Sequence, residues 1–368
     1  MQACGGGGGG GGDSPPDDGG QAGAATYSGH LLYVPAGAST GDAQLLNLAT
    51  GAGQRAPKQT SSTDTDIWTM SSWRADRLVA APTPFQLWLY DAQFAQLAQM
   101  DLHTIAESRL PEAYRPVLSS NGKYVISFWR RQSSFTLPAI GVFDVTTGSL
   151  IESYAASDQL ANSFLSRPVD WMPDGEQYVY MVGNRLFRTR VGAQDINHVD
   201  ISLPSNVGGP GAIKVSPDGT KLLMSLPTVF PGTSVAHDVL YVVGLDGSGF
   251  RQVTTFSDAA QKTLYARRHV GPAWSPDGKF IAFHLSASVT GVGGPTYSTL
   301  DANLLLIMQG VLSSRCSPVI VIPADSRSKV VDEETLTAEL VMMVPSSSGN
   351  KPIVTCDLDA GASLTWAP

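Results

Sequence analysis

The chain has 368 residues, of which 42% are hydrophobic and 15% are charged, and its formal charge at pH 7 is −8. The apolar fraction excludes a disordered chain, and the low charged fraction argues against a coiled coil or a long solvated helical protein. An acidic chain without a basic cluster is a poor candidate for nucleic-acid binding. No apolar run reaches the roughly 18 residues that are needed to span a bilayer.

Residues 1–26 differ in composition from the rest of the chain. Met1-Gln2-Ala3-Cys4 is followed by eight glycines and then by a stretch rich in Pro, Asp and Gly. Glycine has no side chain to bury and loses the most conformational entropy on folding. We therefore expect residues 1–26 to form a flexible tether and residues 27–368 to form one folded domain.

Ala3-Cys4, directly before the glycines, resembles the end of the lipobox of bacterial lipoproteins, where the cysteine is lipidated and becomes the first residue. The charged and apolar parts of a signal peptide are absent from the sequence, so the resemblance implies a start upstream of Met1. It also implies an outer-membrane-anchored envelope protein that faces the periplasm or the cell surface. The alternative is a cytosolic protein with a low-complexity leader and an unrelated cysteine.

The two remaining cysteines are Cys316 and Cys356. If Cys4 carries a lipid, an even pair remains, as expected in an oxidising compartment where disulfides form. The alternative is that both are buried thiols.

Five segments share a turn between two strand-like runs. Four of these marker turns read Ser-Pro-Asp-Gly or a close variant, and the positions equivalent to the tryptophan before the turn are Trp73, Leu118, Trp171, Val215 and Trp274. Proline presets the first φ of such a turn, Asp or Asn accepts backbone hydrogen bonds, and glycine takes the positive φ. Each copy predicts a β-hairpin, and a second hairpin follows most copies.

The copies begin at positions 73, 118, 171, 215 and 274, a period in the forties to fifties that is typical of a four-stranded propeller blade. Residues 363–368 match the first strand of a repeat and residues 28–34 match the second. We therefore expect the C-terminal strand to join the N-terminal blade and close the ring. Six blades are favoured, with an insertion or degenerate blade at about 324–361 that includes an added hairpin at 335–357, and seven blades are the alternative.

These turns and strands resemble the TolB-type, WD-like propeller repeat, which also occurs in propeller domains of prolyl-oligopeptidase-like proteins. The resemblance covers most of residues 28–368 and implies an all-β propeller, with Trp171 and Trp274 packed between blades. It implies little about function, because the matched residues form turns and core.

Motifs for catalysis are weak. Gly37-Ala38-Ser39-Thr40-Gly41 matches a nucleophile elbow, but a strand-like run follows it where that motif requires a helix. None of the six histidines has metal-ligand spacing, and no Cys-x-x-Cys occurs. We therefore predict no catalytic residue, no metal and no cofactor.

One group of basic residues is a candidate for binding a partner. In a propeller, the loops that enter the inner strands share a face with the loops that join the second and third strands. The residues on this predicted arginine face are Arg115, Arg130, Arg131, Arg167, Arg267, Arg268 and His269. Arginine suits recognition of carboxylates, phosphates and protein surfaces. The alternative is neutralisation by acidic residues of the same loops, namely Glu107, Glu112, Asp158, Asp238 and Asp258.

The sequence thus predicts a non-enzymatic envelope lipoprotein whose propeller binds another envelope protein or a glycan. Contact with the membrane would be made only through the N-terminal lipid. One alternative is a metal-dependent lyase or hydrolase with a site in the channel, for which His269 is the only plausible ligand. Another is a structural subunit of a surface assembly, and the sequence does not predict an oligomeric state.

Overall fold

The structure is a computed structural model, and it describes residues 27–33, 44–55, 73–74, 76–83, 86–101, 111–131, 139–155, 169–193, 197–262, 266–287, 316–332, 335–347, 349–356 and 364–368. Within these ranges the regular secondary structure is nearly all strand, with one short helix, α1 (Asp258–Gln261), and one 3₁₀ turn (Ala338–Leu340). None of the described helices has the length and apolar character to cross a membrane. The predicted tether with Cys4 and the Gly37–Gly41 motif lie outside the described residues.

The described strands form six four-stranded antiparallel units, which we number as sheets 1 to 6 along the chain. Sheet 1 contains, in order of pairing, β28 (Thr365–Ala367), β1 (His30–Tyr33), β2 (Gln44–Asn47) and β3 (Gly53–Arg55). Sheet 2 contains β4 (Trp73–Arg74), β5 (Arg77–Thr83), β6 (Gln86–Tyr90) and β7 (Gln96–Asp101). Sheet 3 contains β8 (Pro111–Leu118), β9 (Tyr124–Arg131), β10 (Ala139–Asp144) and β11 (Leu150–Ala155).

Sheet 4 contains β12 (Val169–Trp171), β13 (Gln177–Val182), β14 (Arg185–Arg190) and β15 (Asn197–Asp200). Sheet 5 contains β16 (Ala212–Val215), β17 (Lys221–Val229), β18 (Ala236–Gly244) and β19 (Arg251–Gln252). Sheet 6 contains β21 (Arg267–Trp274), β22 (Phe280–Ala287), β23 (Cys316–Pro323) and β27 (Val354–Cys356). A single parallel pair, Asp238 with Arg268, joins sheets 5 and 6. The predicted all-β class with antiparallel four-stranded units is confirmed.

The marker turns form as the sequence predicts. In the turn after β21, Gly278 has a φ of 70°, and the Asp277 carboxylate accepts the backbone N–H of Lys279 at 3.1 Å. The Ser275 hydroxyl donates to Asp277 at 2.6 Å and accepts the backbone N–H of Phe280 at 2.9 Å. The turns that contain Asp218 and Asn121 repeat these contacts. Each turn is thus closed by its own side chains.

Marker turns of neighbouring sheets also pack against one another. A Cβ atom placed on Gly175 would lie 2.5 Å from Cγ of Asn121, and one placed on Gly219 would lie 3.2 Å from Cδ of Pro173. These glycines therefore allow both the positive φ of the turn and the close contact between neighbouring sheets.

The first strand of each sheet lies at the centre of the molecule. The Trp171 indole of β12 donates to the Val117 carbonyl of β8 at 2.9 Å, and the Trp274 indole of β21 donates to the Lys214 carbonyl of β16 at 3.1 Å. Both bonds join neighbouring sheets, as predicted for the two tryptophans. Contacts between neighbouring sheets continue in order, and they return to the start because β28 contacts both β21 and β4.

The two ends of the described chain pair as predicted. β28 lies antiparallel to β1, with Trp366 opposite Leu31. Leu364 and Trp366 are buried, and the Trp366 indole donates to the carbonyl of Ser28 at 2.9 Å.

An excursion separates the third and fourth strands of sheet 6. It contains β24 (Lys329–Val330), the 3₁₀ turn, β25 (Met343–Ser346) and β26 (Gly349–Pro352). β25 and β26 form the predicted hairpin, and β24 pairs in parallel with β20 (Thr254–Thr255). The chain then returns to sheet 6 as β27.

Three strands extend further than the sequence indicates. Arg115 lies inside β8, Arg130 and Arg131 lie inside β9, and residues 267–269 lie inside β21, although we predicted all of them in loops. The register of β8 with β9 shifts between Tyr114 and Val117, and that of β21 with β22 shifts between Val270 and Ala273. Both shifts span a proline, at positions 116 and 272. Proline cannot donate to a ladder, but a bulge allows the strand to continue past it.

Candidate functional site

Most of the predicted arginine face is either buried or outside the described side chains. Arg267 is buried, and its guanidinium donates to the Ala260 carbonyl at 2.8 Å. Arg268 has a side chain that is 46% exposed and lies 3.5 Å from the carboxylate of Asp238. Arg268 thus has an acidic neighbour, as the alternative describes, and its role in binding stays a prediction. The side chains of Arg115, Arg130 and Arg131, and the whole of Arg167, lie outside the described part, so their role stays a prediction.

His269 is buried and serves the interior of sheets 5 and 6. The Val331 carbonyl lies 2.9 Å from Nε2 of His269 and can only accept, so Nε2 of the neutral ring carries the proton and donates to it. Nδ1 is then the acceptor, and the Thr254 hydroxyl donates to it at 2.8 Å. The same hydroxyl accepts the backbone N–H of Leu240 at 2.9 Å. Burial lowers the pKa of His269 to about 4, and its ring stacks on Phe256.

This arrangement uses both ring nitrogens of His269 in hydrogen bonds within the interior. The residue is thus out of reach of a partner at the surface, and it has no lone pair directed into a channel. Within the described ranges, no three His, Cys, Asp or Glu side chains cluster as metal ligands.

A cavity of about 340 Å³ lies at the other end of the first strands, among the marker turns. All six sheets contribute to its wall. The lining residues are Arg74, Ser120, Trp171, Pro173, Lys214, Val215, Ser216, Pro217, Ala273, Trp274, Pro276, Leu364, Thr365, Trp366, Ala367 and Pro368. Three tryptophans and four prolines thus give this central cavity a wall that is largely apolar and rigid.

An ion cluster forms one part of this wall. The Asp170 carboxylate is fully buried and accepts Nη2 of Arg74 at 2.9 Å, while Nζ of Lys214 lies 3.9 Å away. Its second oxygen accepts the backbone N–H of Val215 at 2.9 Å. Arg74 also donates to the Ser120 hydroxyl at 3.1 Å. The cluster therefore ties sheets 2, 3, 4 and 5 together at the centre of the molecule.

The charges of the cluster are unequal. Arg74 and Lys214 are two cations around one carboxylate, and their side chains are 21% and 13% exposed, whereas Asp170 is not exposed at all. Arg74 and Lys214 therefore place two cationic groups at the described wall of the cavity. Nζ of Lys214 lies farther from the Asp170 carboxylate than Nη2 of Arg74 does.

This cluster was not predicted from the sequence. Asp170 and Lys214 each stand one position before the tryptophan-equivalent position of their repeat, where the other described copies carry Val117, Ala273 and Thr365. A charged residue inside an otherwise apolar inner strand was the available signal. Its meaning depends on a partner in another sheet, which the repeat pattern does not provide.

No protein-family model matches the chain, and no curated protein matches it. Solved structures that are similar to it include TolB from Acinetobacter baumannii, with 12% identity, a TM-score of 0.49, and coverage of 82% of this chain and 63% of that one. Putative TolB from Agrobacterium tumefaciens has 11% identity, a TM-score of 0.47, and coverage of 90% and 98%. Hydrazine synthase of Kuenenia stuttgartiensis has 16% identity, a TM-score of 0.43, and coverage of 73% and 66%. The chain thus spans slightly under two thirds of the first and third of these.

Proposed function

We propose that the chain is a six-bladed β-propeller of the cell envelope that binds a partner protein at the central cavity. The six described four-stranded sheets and the cyclic order of contacts among their inner strands support six blades. The pairing of β28 with β1 supports closure of the ring by the C-terminal strand. Closure removes the exposed strand edges that an open array of sheets would present.

The observation that carries the binding function is the cationic, aromatic wall of the central cavity. Its volume of about 340 Å³ is at the low end of small-molecule pockets, which span about 300–1,000 Å³. A cavity of this size holds a short segment of a partner protein. Tryptophan and proline contact apolar side chains of such a segment, and Lys214 and Arg74 attract a carboxylate. We therefore propose that the recognised segment carries an Asp or Glu beside apolar residues.

Substitutions at two residues, Lys214 and Arg268, distinguish binding at the central cavity from binding at the predicted arginine face. The partner is captured from envelope extract with the full chain, identified by mass spectrometry, and titrated in purified form. Lys214→Met should weaken binding at least tenfold, because a buried charge contact is lost, whereas Lys214→Arg should retain most of the affinity. Arg268→Ala is the control and should bind like the original chain. Unfolding curves of all three verify that the fold is intact.

The opposite pattern would overturn the cavity as the binding site. If Arg268→Ala, or the combined replacement of Arg115, Arg130, Arg167 and Arg268 by Ala, abolishes binding while Lys214→Met does not, the predicted arginine face binds the partner. Binding at the predicted arginine face should weaken as salt rises, because exposed charges are screened beyond about 8 Å at physiological ionic strength, whereas a buried contact with Lys214 should respond much less to salt.

The envelope location rests on a second feature, Ala3-Cys4 and the glycine stretch after it. We propose that Cys4 is lipidated and that the glycines hold the propeller away from the membrane. Expressed behind a lipoprotein signal, the protein should incorporate palmitate and partition into detergent. Stable anchoring requires more than one acyl chain. Cys4→Ser should stay in the aqueous phase, and equal partitioning of the two proteins would contradict lipidation.

A further inference from the structure

The two cysteines of the folded domain meet in one ladder. β23 and β27 pair antiparallel over three positions, with Cys316 opposite Cys356, Ser317 opposite Thr355, and Pro318 opposite Val354. The two cysteines are far apart in sequence, and only the return of the chain as β27 brings their backbones together.

The hydrogen bonds of this ladder define the type of each pair. The backbone N–H of Val319 donates to the Ile353 carbonyl at 2.9 Å, and this bond flanks the pair of Pro318 with Val354. Pro318 has no N–H, so that pair cannot exchange two bonds and is of the non-hydrogen-bonded type. The two types alternate along an antiparallel ladder. The pair of Cys316 with Cys356, two positions along, is therefore also non-hydrogen-bonded.

This pair type suits a disulfide. Cα atoms of a non-hydrogen-bonded antiparallel pair lie about 4.5 Å apart, and their side chains are closer than in the other type. A disulfide joins Cα atoms that are about 4.4–6.8 Å apart. The backbones of Cys316 and Cys356 thus meet the requirement without moving.

The position of the pair also provides a reason for a covalent link. β27 is the fourth strand of sheet 6, has three residues, and follows the excursion at 324–353. Met342, Val344 and Ile353 of that excursion pack in the same core cluster as Leu31 and Trp366 of sheet 1. A link at the base of the excursion would hold both the short strand and the contact between sheets 6 and 1.

We infer that Cys316 and Cys356 form a disulfide that fastens the outer strand of sheet 6 and closes the excursion into a loop. The two thiols would lose two protons and two electrons to the disulfide of an envelope thiol–disulfide oxidoreductase, which becomes a dithiol while the new sulfur–sulfur bond forms. In cells the reaction rests on the proposed envelope location, because disulfides persist in oxidising compartments.

The test uses the full chain with Cys4→Ser, so that Cys316 and Cys356 are the only thiols. Protein exported to the periplasm is denatured without reductant, labelled with a maleimide and mapped by mass spectrometry. We expect one linked peptide pair that contains both residues and no label. Labelling of both cysteines in the exported protein would overturn the inference.

A second arm does not depend on location. The same protein is purified reduced from the cytoplasm and treated, still folded, with oxidised glutathione, which should convert it to the intramolecular disulfide. If the folded protein acquires only mixed disulfides, the register of β23 with β27 is wrong and the inference fails. Failure of lipidation or of partner binding would leave this result unchanged, so the two proposals fail separately.

The effect of the disulfide on stability is tested separately, by the Tm with and without reductant. Reduction of the oxidised protein should lower its Tm by about 5 °C, as expected for a loop-closing disulfide in a large domain. The double variant Cys316→Ser with Cys356→Ser should have the Tm of the reduced protein and should not respond to reductant. An oxidised protein whose Tm is unchanged by reduction would overturn the role.

Discussion

Two buried histidines in sheet 6, His269 and His284, differ in the hydrogen-bond partners of their ring nitrogens. His269 has a hydrogen-bond partner for each ring nitrogen, Thr254 and Val331. Nδ1 of His284 has no partner among the described residues. Burial lowers the pKa of both side chains, to about 4 for His269 and about 3 for His284, so both are neutral at pH 7.

This difference predicts unequal effects for one substitution. His269→Leu should lower the free energy of unfolding by about 1–3 kcal/mol for each group left unpaired, the Thr254 hydroxyl and the Val331 carbonyl. His284→Leu removes a ring whose Nδ1 has no partner among the described residues, at similar volume, and should lower the free energy of unfolding less than His269→Leu does. Urea unfolding at pH 7.5 measures both, and equal losses would show that His284 has a partner in the folded protein.

The same residues predict a pH dependence of stability. The unfolded-state pKa of a histidine is about 6.5, and the folded-state values are lower, so between pH 6.5 and about 4 the unfolded state binds more protons. The free energy of unfolding should thus have its full value above pH 6.5. As the pH falls below 6.5, it should decrease by about 1.4 kcal/mol per pH unit for each histidine.

Among the nearby groups, Asp238 opposes this trend because burial raises the pKa of its carboxyl, whereas His237 and Asp332 do not oppose it. Burial also lowers the pKa of His237, and hydrogen bonds from Ser257 and Thr335 outweigh burial to lower that of Asp332 below 3.8. Asp332 therefore contributes only at more acidic pH. Urea unfolding between pH 7.5 and 4.5 should show the decline, and His284→Leu should make it shallower. A flat profile would show that the histidines are protonated in the folded state.

At the scale of elements, a glycine of a marker turn can be required for two reasons, the positive φ of the turn and the close packing of a neighbouring turn. Gly175 has a φ of 67° and lies against the Asn121 turn of the neighbouring sheet. Gly232 has a φ of 78°, and no atom lies within 4 Å of the Cβ it would carry. The two glycines therefore share the backbone requirement, and only Gly175 has the packing requirement.

Alanine at these two positions should separate the requirements. Gly232→Ala should cost about 1–2 kcal/mol, the penalty of a left-handed conformation for a residue with a Cβ. Gly175→Ala should cost about 1–3 kcal/mol more, because the added atom overlaps the backbone of Asn121. Chemical unfolding measures the difference, and equal costs would show that the turns of sheets 3 and 4 can separate without loss.

At the scale of the whole molecule, two features connect sheets that are distant in sequence. The Asp170 cluster joins the centre of sheets 2, 3, 4 and 5, and β28 joins the last residues of the chain to β1. Both features place contacts of long sequence separation at the middle of the fold. The stability of the fold should therefore depend on them more than on any single outer strand.

Removal of residues 362–368 tests the closure by β28. The deletion takes away a buried strand with Leu364 and Trp366. The free energy of unfolding should fall by several kcal/mol, since truncation of one buried tryptophan alone costs about 3–5 kcal/mol. Trp366→Ala should account for part of this loss. A Tm of the deletion variant equal to that of the original chain would contradict closure by this strand.

The sequence by itself determined the features that act over short distances. Pro, Asp and Gly close a turn within five residues, and their spacing defines the repeat, the four-stranded unit and the pairing of the two ends. The tertiary structure alone decided which side chains meet. Arg74, Asp170 and Lys214 come from three different sheets, and five of the six predicted loop arginines lie in strands that continue beside bulges at two prolines. His269 is buried rather than exposed. Burial and partners depend on residues far away in the chain, which a local pattern does not encode.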